Sequence, residues 1–307
     1  MTKTKVRMKT KYKLNVDYLK LCYRQPEGLY ETLASLEDGY YMGDGYSLKV
    51  IEQDETHVLM KVIVPDAAGA WSLGTLILND GAAFKGKAFF EFDNRALYEV
   101  CTRDGQKPVN CIGFMDYIAD DLGLEYNNCT KVDIALDTNV NVLAKMRKRI
   151  RNHQELDMYL CRRKIADADA KLDGYGEYYA STRKRLIRHP EIIISQAKDE
   201  GTRLKAYEKT RELEESRPDK KDRYFNWLGR EWDAGKDRIF RVEVSLRNED
   251  VKAIHSKYAD AITDYRRDMT FLQEIQEEGW LKYYFIEGLE SLIYFRDKTT
   301  QDKVCAF

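Results

Sequence analysis

Hydrophobic and polar residues alternate with period two in several stretches of this chain, and in a strand such alternation sends successive side chains to opposite faces. "HVLMKVIVP" and "GTLILN" predict strands, and "GKAFFEF" alternates from Ala88 to Phe92 before a turn at Asp93-Asn94. "KVDIALDTN" predicts a strand with Val132, Ile134 and Leu136 on its apolar side and Asp133, Ala135 and Asp137 on the other. "PEIIISQA" has a continuous apolar centre, as strands buried on both faces do. Beyond the turn "KDEG", "TRLKAYEKTREL" predicts its hairpin partner. Arg203, Lys205, Tyr207 and Lys209 share one face of that partner, and Leu204 and Ala206 take the other. "RIFRVEVSLRNED" divides in the same way, with Phe240, Val242, Val244 and Leu246 opposite Arg241, Glu243, Ser245 and Arg247.

Elsewhere the period lengthens to that of a helix. "CIGFMDYIADDLGL" predicts a helix ending at Gly123, residues 142–171 a long basic helix stopped by "DGYG", and Val251 to about Phe295 helices with a break near Gly279. "YFNWLGREWDAGKD" reads as irregular or helical. This order of elements predicts an α+β fold, a central antiparallel sheet packed by helices. Residues 1–130 are open between a separate domain and one of two related sheet halves.

Composition narrows the class. Of 307 residues, 43% are hydrophobic and 34% charged, which suits a folded protein. No apolar run approaches the roughly 18 to 20 residues that cross a bilayer. The basic start "MTKTKVRMKTKYKLNVDYLKL" lacks the apolar core of a signal peptide, so no export is expected and the cytoplasm is the default. The six cysteines are scattered without CxxC or a histidine at ligand spacing, which predicts free, mostly buried thiols. The four histidines stand singly and read as structural or exposed.

The formal net charge of -1 hides an uneven distribution. From Lys145 to Pro190 there are 13 Lys and Arg against 6 Asp and Glu. The excess is concentrated in "KMRKRIR", with Arg147, Lys148 and Arg149, in "CRRK", and in "TRKRLIR", with Arg183, Lys184 and Arg185. Such clusters fit phosphate binding. A basic helix is also a common solvated face.

Three predicted strands therefore each carry an apolar face and a face bearing chemistry. If they are neighbours, one surface holds a phenol, three carboxylates and several cations. Paired carboxylates such as Asp133 and Asp137 repel unless cations sit over them, and their oxygens suit hard divalent ions such as Mg²⁺ or Mn²⁺. A tyrosine oxygen can attack a phosphodiester while carboxylate-held metal and Lys or Arg stabilise the charge that develops. A phenol with an unperturbed pKa near about 10 needs such help. The competing reading is an ordinary exposed sheet face with cross-strand Lys/Glu pairs, in a chain holding 21 tyrosines.

"KVDIALD", "RLKAYEKTRELE" and "RVEVSLRNED", in that order, resemble the signature segments of the replication initiation factor family, which includes plasmid rolling-circle replication initiators and relaxases of conjugative elements. The resemblance covers roughly Lys131 to Asp250, and its third segment is the most specific. It implies a catalytic nicking core over 131–250, an N-terminal α+β region over 1–130 that completes the sheet and contributes to DNA binding, and a C-terminal helical region over 251–307. It further implies a bacterial enzyme that cuts one DNA strand at a double-strand origin or transfer origin, at a hairpin or single-stranded nick site. The products would be a 5′-phosphotyrosyl link and a free 3′-hydroxyl. On this resemblance Tyr207 is the nucleophile assisted by Lys209. Asp133, Glu243 and Asp137 hold Mg²⁺ or Mn²⁺, and Arg203, Lys205, Arg241 and Arg247 contact DNA. A homodimer, a host helicase and a polymerase are the implied partners. The stretch "IIISQAKDE" departs from the family pattern in lacking a Gly-Ser pair. The alternative is a DNA-binding module of the same fold that does not cut.

Overall fold

The computed structural model describes residues 9–36, 39–66, 69–101, 109–152, 154–165, 191–195, 201–259 and 270–307. The predicted basic cluster Arg183, Lys184 and Arg185 lies outside these residues. The strands are β1 (Tyr12–Arg24), β2 (Tyr40–Gly43), β3 (Tyr46–Gln53), β4 (His57–Asp66), β5 (Gly69–Asn79), β6 (Lys87–Phe92), β7 (Val100–Cys101), β8 (Val109–Asn110), β9 (Glu125–Thr138), β10 (Leu156–Leu160), β11 (Arg163–Ile165), β12 (Ile192–Ser195), β13 (Arg203–Glu208), β14 (Phe240–Arg247), β15 (Ile293–Asp297) and β16 (Lys303–Val304). The helices are α1 (Leu29–Ala34), α2 (Cys111–Asp121), α3 (Val142–Arg151), α4 (Lys209–Ser216), α5 (Lys221–Leu228), α6 (Asn248–Ala259), α7 (Phe271–Glu274) and α8 (Glu278–Leu292). The fold is α+β, with antiparallel sheet and helices as the alternation predicts. No described helix is long and apolar enough to cross a membrane.

Two compact units are woven from interleaved segments. One comprises Met1–Asn15, Ile134–Leu246 and Leu281–Phe307. Its strands run in the order β12-β13-β14-β9, with β12, β13 and β14 antiparallel, and a smaller sheet runs β11-β10-β15-β16. The register sets Lys205 opposite Glu243, Tyr207 opposite Arg241 and Arg203 opposite Ser245, so the two predicted polar faces are one. On the other face Leu204, Val242, Val244 and Leu246 are fully buried. There α8 approaches closely, because a Cβ at Gly288 would lie 2.5 Å from Val244 Cγ1 and 2.8 Å from Leu246 Cδ2. Gly288→Val therefore overfills this contact and is expected to cost about 1–3 kcal/mol, read as a lowered midpoint in urea. An unchanged midpoint would mean that α8 can lift off β14 at no cost.

The other unit comprises Val16–Asp133 and Arg247–Trp280. Its strands run β9-β1-β6-β5-β4-β3-β2, the hairpins β2-β3, β3-β4, β4-β5 and β5-β6 being antiparallel. Helix α2 forms as predicted: Asn110 Oδ1 accepts from Gly113 N at 2.8 Å as its N-cap, and Phe114, Met115 and Ile118 make the buried stripe. Five of the six cysteines are buried and all are free thiols, with Cys101 and Cys111 Sγ atoms 3.3 Å apart. His255 Nδ1 meets the fully buried Glu274 carboxylate at 2.7 Å, a structural role for a histidine that the sequence shows standing alone.

Three predicted elements differ. The long helix from residue 142 ends at Arg151, and "LDMYL" and "RKI" form the hairpin β10-β11. Its two-residue loop is Cys161-Arg162, with φ of +48° and +66°. Left-handed backbone at both loop positions is ordinarily signalled by Asn or Gly, and neither stands there. The helical run towards Phe295 stops at Leu292, and β15 pairs with β10 so that Tyr159 and Tyr294 stack at 4.5 Å. Finally, β13 ends at Glu208, so Lys209 opens α4 instead of extending the strand.

Candidate functional site

Tyr207 stands next to last on β13, 6% exposed, at the point where the chain turns from strand to helix. That turn is held by main chain: Lys209 N and Thr210 N both donate to Ile239 O, at 2.9 and 3.3 Å, and Ile239 N donates to Thr210 Oγ1 at 2.7 Å. Two ammonium groups attend the ring. Lys205 Nζ lies 4.4 Å and Lys209 Nζ 5.8 Å from its centroid. Lys209 also pairs with Glu212 at 2.7 Å and reaches 5.6 Å from the Tyr224 ring, while Lys205 is 3.9 Å from Glu191. Arg203 is exposed at the strand's start.

Directly across from Tyr207, Arg241 is completely buried. Its Nε donates to Asp137 Oδ1 at 2.8 Å and its Nη2 to Asp137 Oδ2 at 2.9 Å, and Asp137 has no exposed surface either. Tyr224 of α5 donates its hydroxyl to Asp137 Oδ2 and accepts from Arg241 Nη2. The expected tasks of these two residues, phosphate contact for Arg241 and metal ligation for Asp137, do not match this arrangement. Both carboxylate oxygens are taken, and the guanidinium fork is turned inward upon them in the bidentate geometry Arg favours. Sequence reading missed Tyr224 entirely. Its signal was the helical spacing of Tyr224, Phe225 and Leu228, the buried side of α5.

In the other unit Asp133 is 8% exposed. Its Oδ2 accepts from Lys131 Nζ at 3.1 Å, and its buried Oδ1 has no hydrogen-bond partner among the described residues. Lys131 Nζ also lies 4.3 Å from the Tyr18 ring centroid. Burial, with the charge and hydrogen bond of Glu91, pushes the Tyr18 phenol well above its ordinary range, so this second tyrosine keeps its proton. Lys131, Tyr18 and Glu91 were not singled out in the sequence, although Lys131 and Asp133 share a strand face by their spacing. Arg247 is half-buried and its backbone N–H donates to Asp250 at 3.0 Å.

The two oxygens of Asp137 leave no room for a cation, whereas the orphaned Oδ1 of Asp133 is the kind of donor a hard divalent ion takes. Half-buried Glu243 lies across from Lys205. No group of three or more His, Cys, Asp or Glu side chains that could hold a metal occurs among the described residues.

On α3, Lys148 is exposed while Arg147 and Arg149 are half-buried. Burial, and then Arg151 nearby, lowers the Arg147 pKa. Lys148, Arg149 and Arg151 occupy the last turn, where cations complement the helix dipole, so part of this basic cluster has a local structural use.

No protein-family model matches the chain, and no curated protein matches it. A solved structure of a rolling circle replication initiator protein from Geobacillus stearothermophilus is similar at 16% identity and a TM-score of 0.41, covering 95% of this chain and 89% of that one.

Proposed function

We propose that this chain is a DNA strand-nicking enzyme of the rolling-circle initiator or relaxase kind, with Tyr207 as its nucleophile. The observation that carries the reading is the setting of Tyr207: a phenol fixed at a strand-to-helix turn, two ammonium groups within 6 Å of its ring, and a locked Arg241 across the ladder. The three signature-like segments add to it, because they place Tyr207 where the family pattern places its nucleophile.

The Tyr207 oxygen bonds to phosphorus and the bond from phosphorus to the 3′ oxygen breaks. The phenolic proton is given up to solvent, and the departing 3′ oxygen takes up a proton to become a hydroxyl. The strand is left joined to the protein through a 5′-phosphotyrosyl ester. Lys205 and Lys209 stabilise negative charge at the attacking and non-bridging oxygens, and Arg203 holds the adjoining backbone. Glu243, opposite Lys205 in the unit of Tyr207, would hold Mg²⁺ or Mn²⁺, which when bound would supply positive charge to the phosphate; Asp133, in the other unit, offers its unpaired Oδ1 as a separate candidate ligand. Asp137, Arg241 and Tyr224 act as positioning residues. The Tyr224 phenol in the same unit is ill suited to attack, because its hydroxyl is committed to Asp137.

The test mixes purified protein, Mg²⁺ or Mn²⁺ and a supercoiled plasmid carrying the DNA that flanks the protein's own coding sequence. Open circles and a covalent adduct, mapped by mass spectrometry to the peptide containing Tyr207, are expected. An adduct on another residue would displace Tyr207. Tight binding with neither nick nor adduct would turn the reading to a module that binds DNA without cutting it.

A further inference from the structure

Helix α3 lies against β13, the strand that carries Tyr207, in the same unit. Its sequence, "VLAKMRKRIR", holds five cations and no carboxylate. Val142, Leu143, Met146 and Ile150 are buried while Ala144, Lys145, Lys148 and Arg151 are exposed, so the helix turns a cationic face to solvent. Lys148 stands at the middle of that face, and Ala144, one turn before it, is too short to obstruct anything lying across. Lys145, Lys148 and Arg149 form no ion pair among the described residues. Cations on the next two helices of the chain do pair: Lys209 with Glu212 and Arg211 with Glu215 on α4, and Lys221 of α5 with Glu214, each at 2.7 Å.

Like charges four residues apart, as Lys145 and Arg149 or Arg147 and Arg151 are, destabilise a helix. The helix dipole favours cations in the last turn only, and Lys145 stands near the other end, where it favours anions. The helix thus carries more positive charge than its own stability asks for, and an anion laid over the face would relieve the repulsion. We propose that α3 is a rail for the phosphate backbone of duplex DNA beside the strand that Tyr207 cuts, a site that rests on the reading of the chain as a DNA-cleaving enzyme. Cations at 145, 148 and 151 advance by about 4.5 Å per step along the helix axis, and a duplex presents a phosphate for about every 3.4 Å of rise on each strand, so one strand can meet several of them at once. The face has no aromatic ring on which an unstacked base could rest, and such rings are what single-strand grooves supply. A stiff helix against a stiff duplex also needs no flexible strand to be ordered. Contacts confined to phosphate carry no sequence information, so α3 holds the duplex without choosing the origin.

The probes are a fluorescent duplex of arbitrary sequence and the single strand of the same length, each titrated with the full chain by anisotropy from about 50 to 200 mM salt. Replacing Lys145, Lys148 and Arg149 together by Gln should make the slope of log K against log salt for the duplex shallower by about 2 to 3, since each phosphate contact contributes about 0.9. Lys148→Gln alone should change it by about 1. Arg211→Gln, which removes a cation already paired on α4, should leave it as it is. Lys145→Gln takes away one repulsive pair, so its midpoint in urea should not fall, and a shallower slope in that variant is then lost contact and not lost fold. With the single strand the triple variant should alter the slope far less. A duplex slope unchanged in the triple variant, or a fall as large with the single strand, would overturn the proposal. A Tyr207 adduct obtained alongside an unchanged slope would leave the nicking reading standing. A shallower slope in a protein that forms no adduct would remove that reading and keep α3 as a duplex-binding surface, so the two fail separately.

Discussion

Asp137→Ala is expected to destabilise the unit that contains it by about 3–5 kcal/mol, the cost of leaving one member of a buried ion pair without its partner. Arg241 has no access to water, and its guanidinium faces Asp137 through both Nε and Nη2. Removing the carboxylate strands that charge and also takes away the acceptor of the Tyr224 hydroxyl. Urea unfolding monitored by circular dichroism measures the loss. Replacing both partners at once, Asp137→Leu with Arg241→Met, should recover most of it, because apolar residues of similar volume need no counterion. A loss under about 1 kcal/mol for Asp137→Ala would show that the pair is solvated in solution, and would return Asp137 and Arg241 to service at the phosphate and metal.

Tyr207→Phe is expected to abolish both the nick and the protein–DNA adduct while leaving binding of the same DNA within about twofold. The substitution removes one oxygen and keeps the ring over which Lys205 and Lys209 sit, so neither cation–π contact is lost. Covalent catalysis has no substitute for the missing nucleophile. Tyr224→Phe is the informative comparison, since it deletes a hydroxyl from the same neighbourhood. It should lower the rate and stability through Asp137 and Arg241 and still give an adduct at position 207. Residual adduct in Tyr207→Phe, with none in Tyr224→Phe, would exchange the roles of the two tyrosines.

The strands and their faces were legible because each signal is local. That Lys205 and Tyr207 share one face, and Arg241 and Glu243 another, follows from alternation within "RLKAYE" and "FRVEVSLR"; which residue stands opposite which is fixed by the pairing of β13 with β14. What the sequence could not give was the burial of the polar face itself. Arg241 and Asp137 look like solvated groups when only spacing is read, and it takes α5, more than eighty residues beyond Asp137 in the chain, to cover them with Tyr224. The hairpin of β10 and β11 was invisible for the opposite reason: its loop adopts left-handed backbone with residues that carry no turn signal, and tertiary pairing with β15 overrides their preference. The resemblance likewise ordered Asp133, Tyr207 and Glu243 along the chain without telling which carboxylate keeps an open oxygen. The Lys131 contact and the orphaned Oδ1 of Asp133 distinguish it from Asp137.

The clamp between Lys209, Thr210 and Ile239 is written almost wholly in backbone atoms. Substitution at 209 and 239 by any residue but proline can therefore leave the aim of Tyr207 intact, because every other residue keeps the same backbone N–H and carbonyl. Only position 210 carries part of the clamp in a side chain, so a hydroxyl there is the alphabet's one fixed letter around an otherwise freely spelled turn.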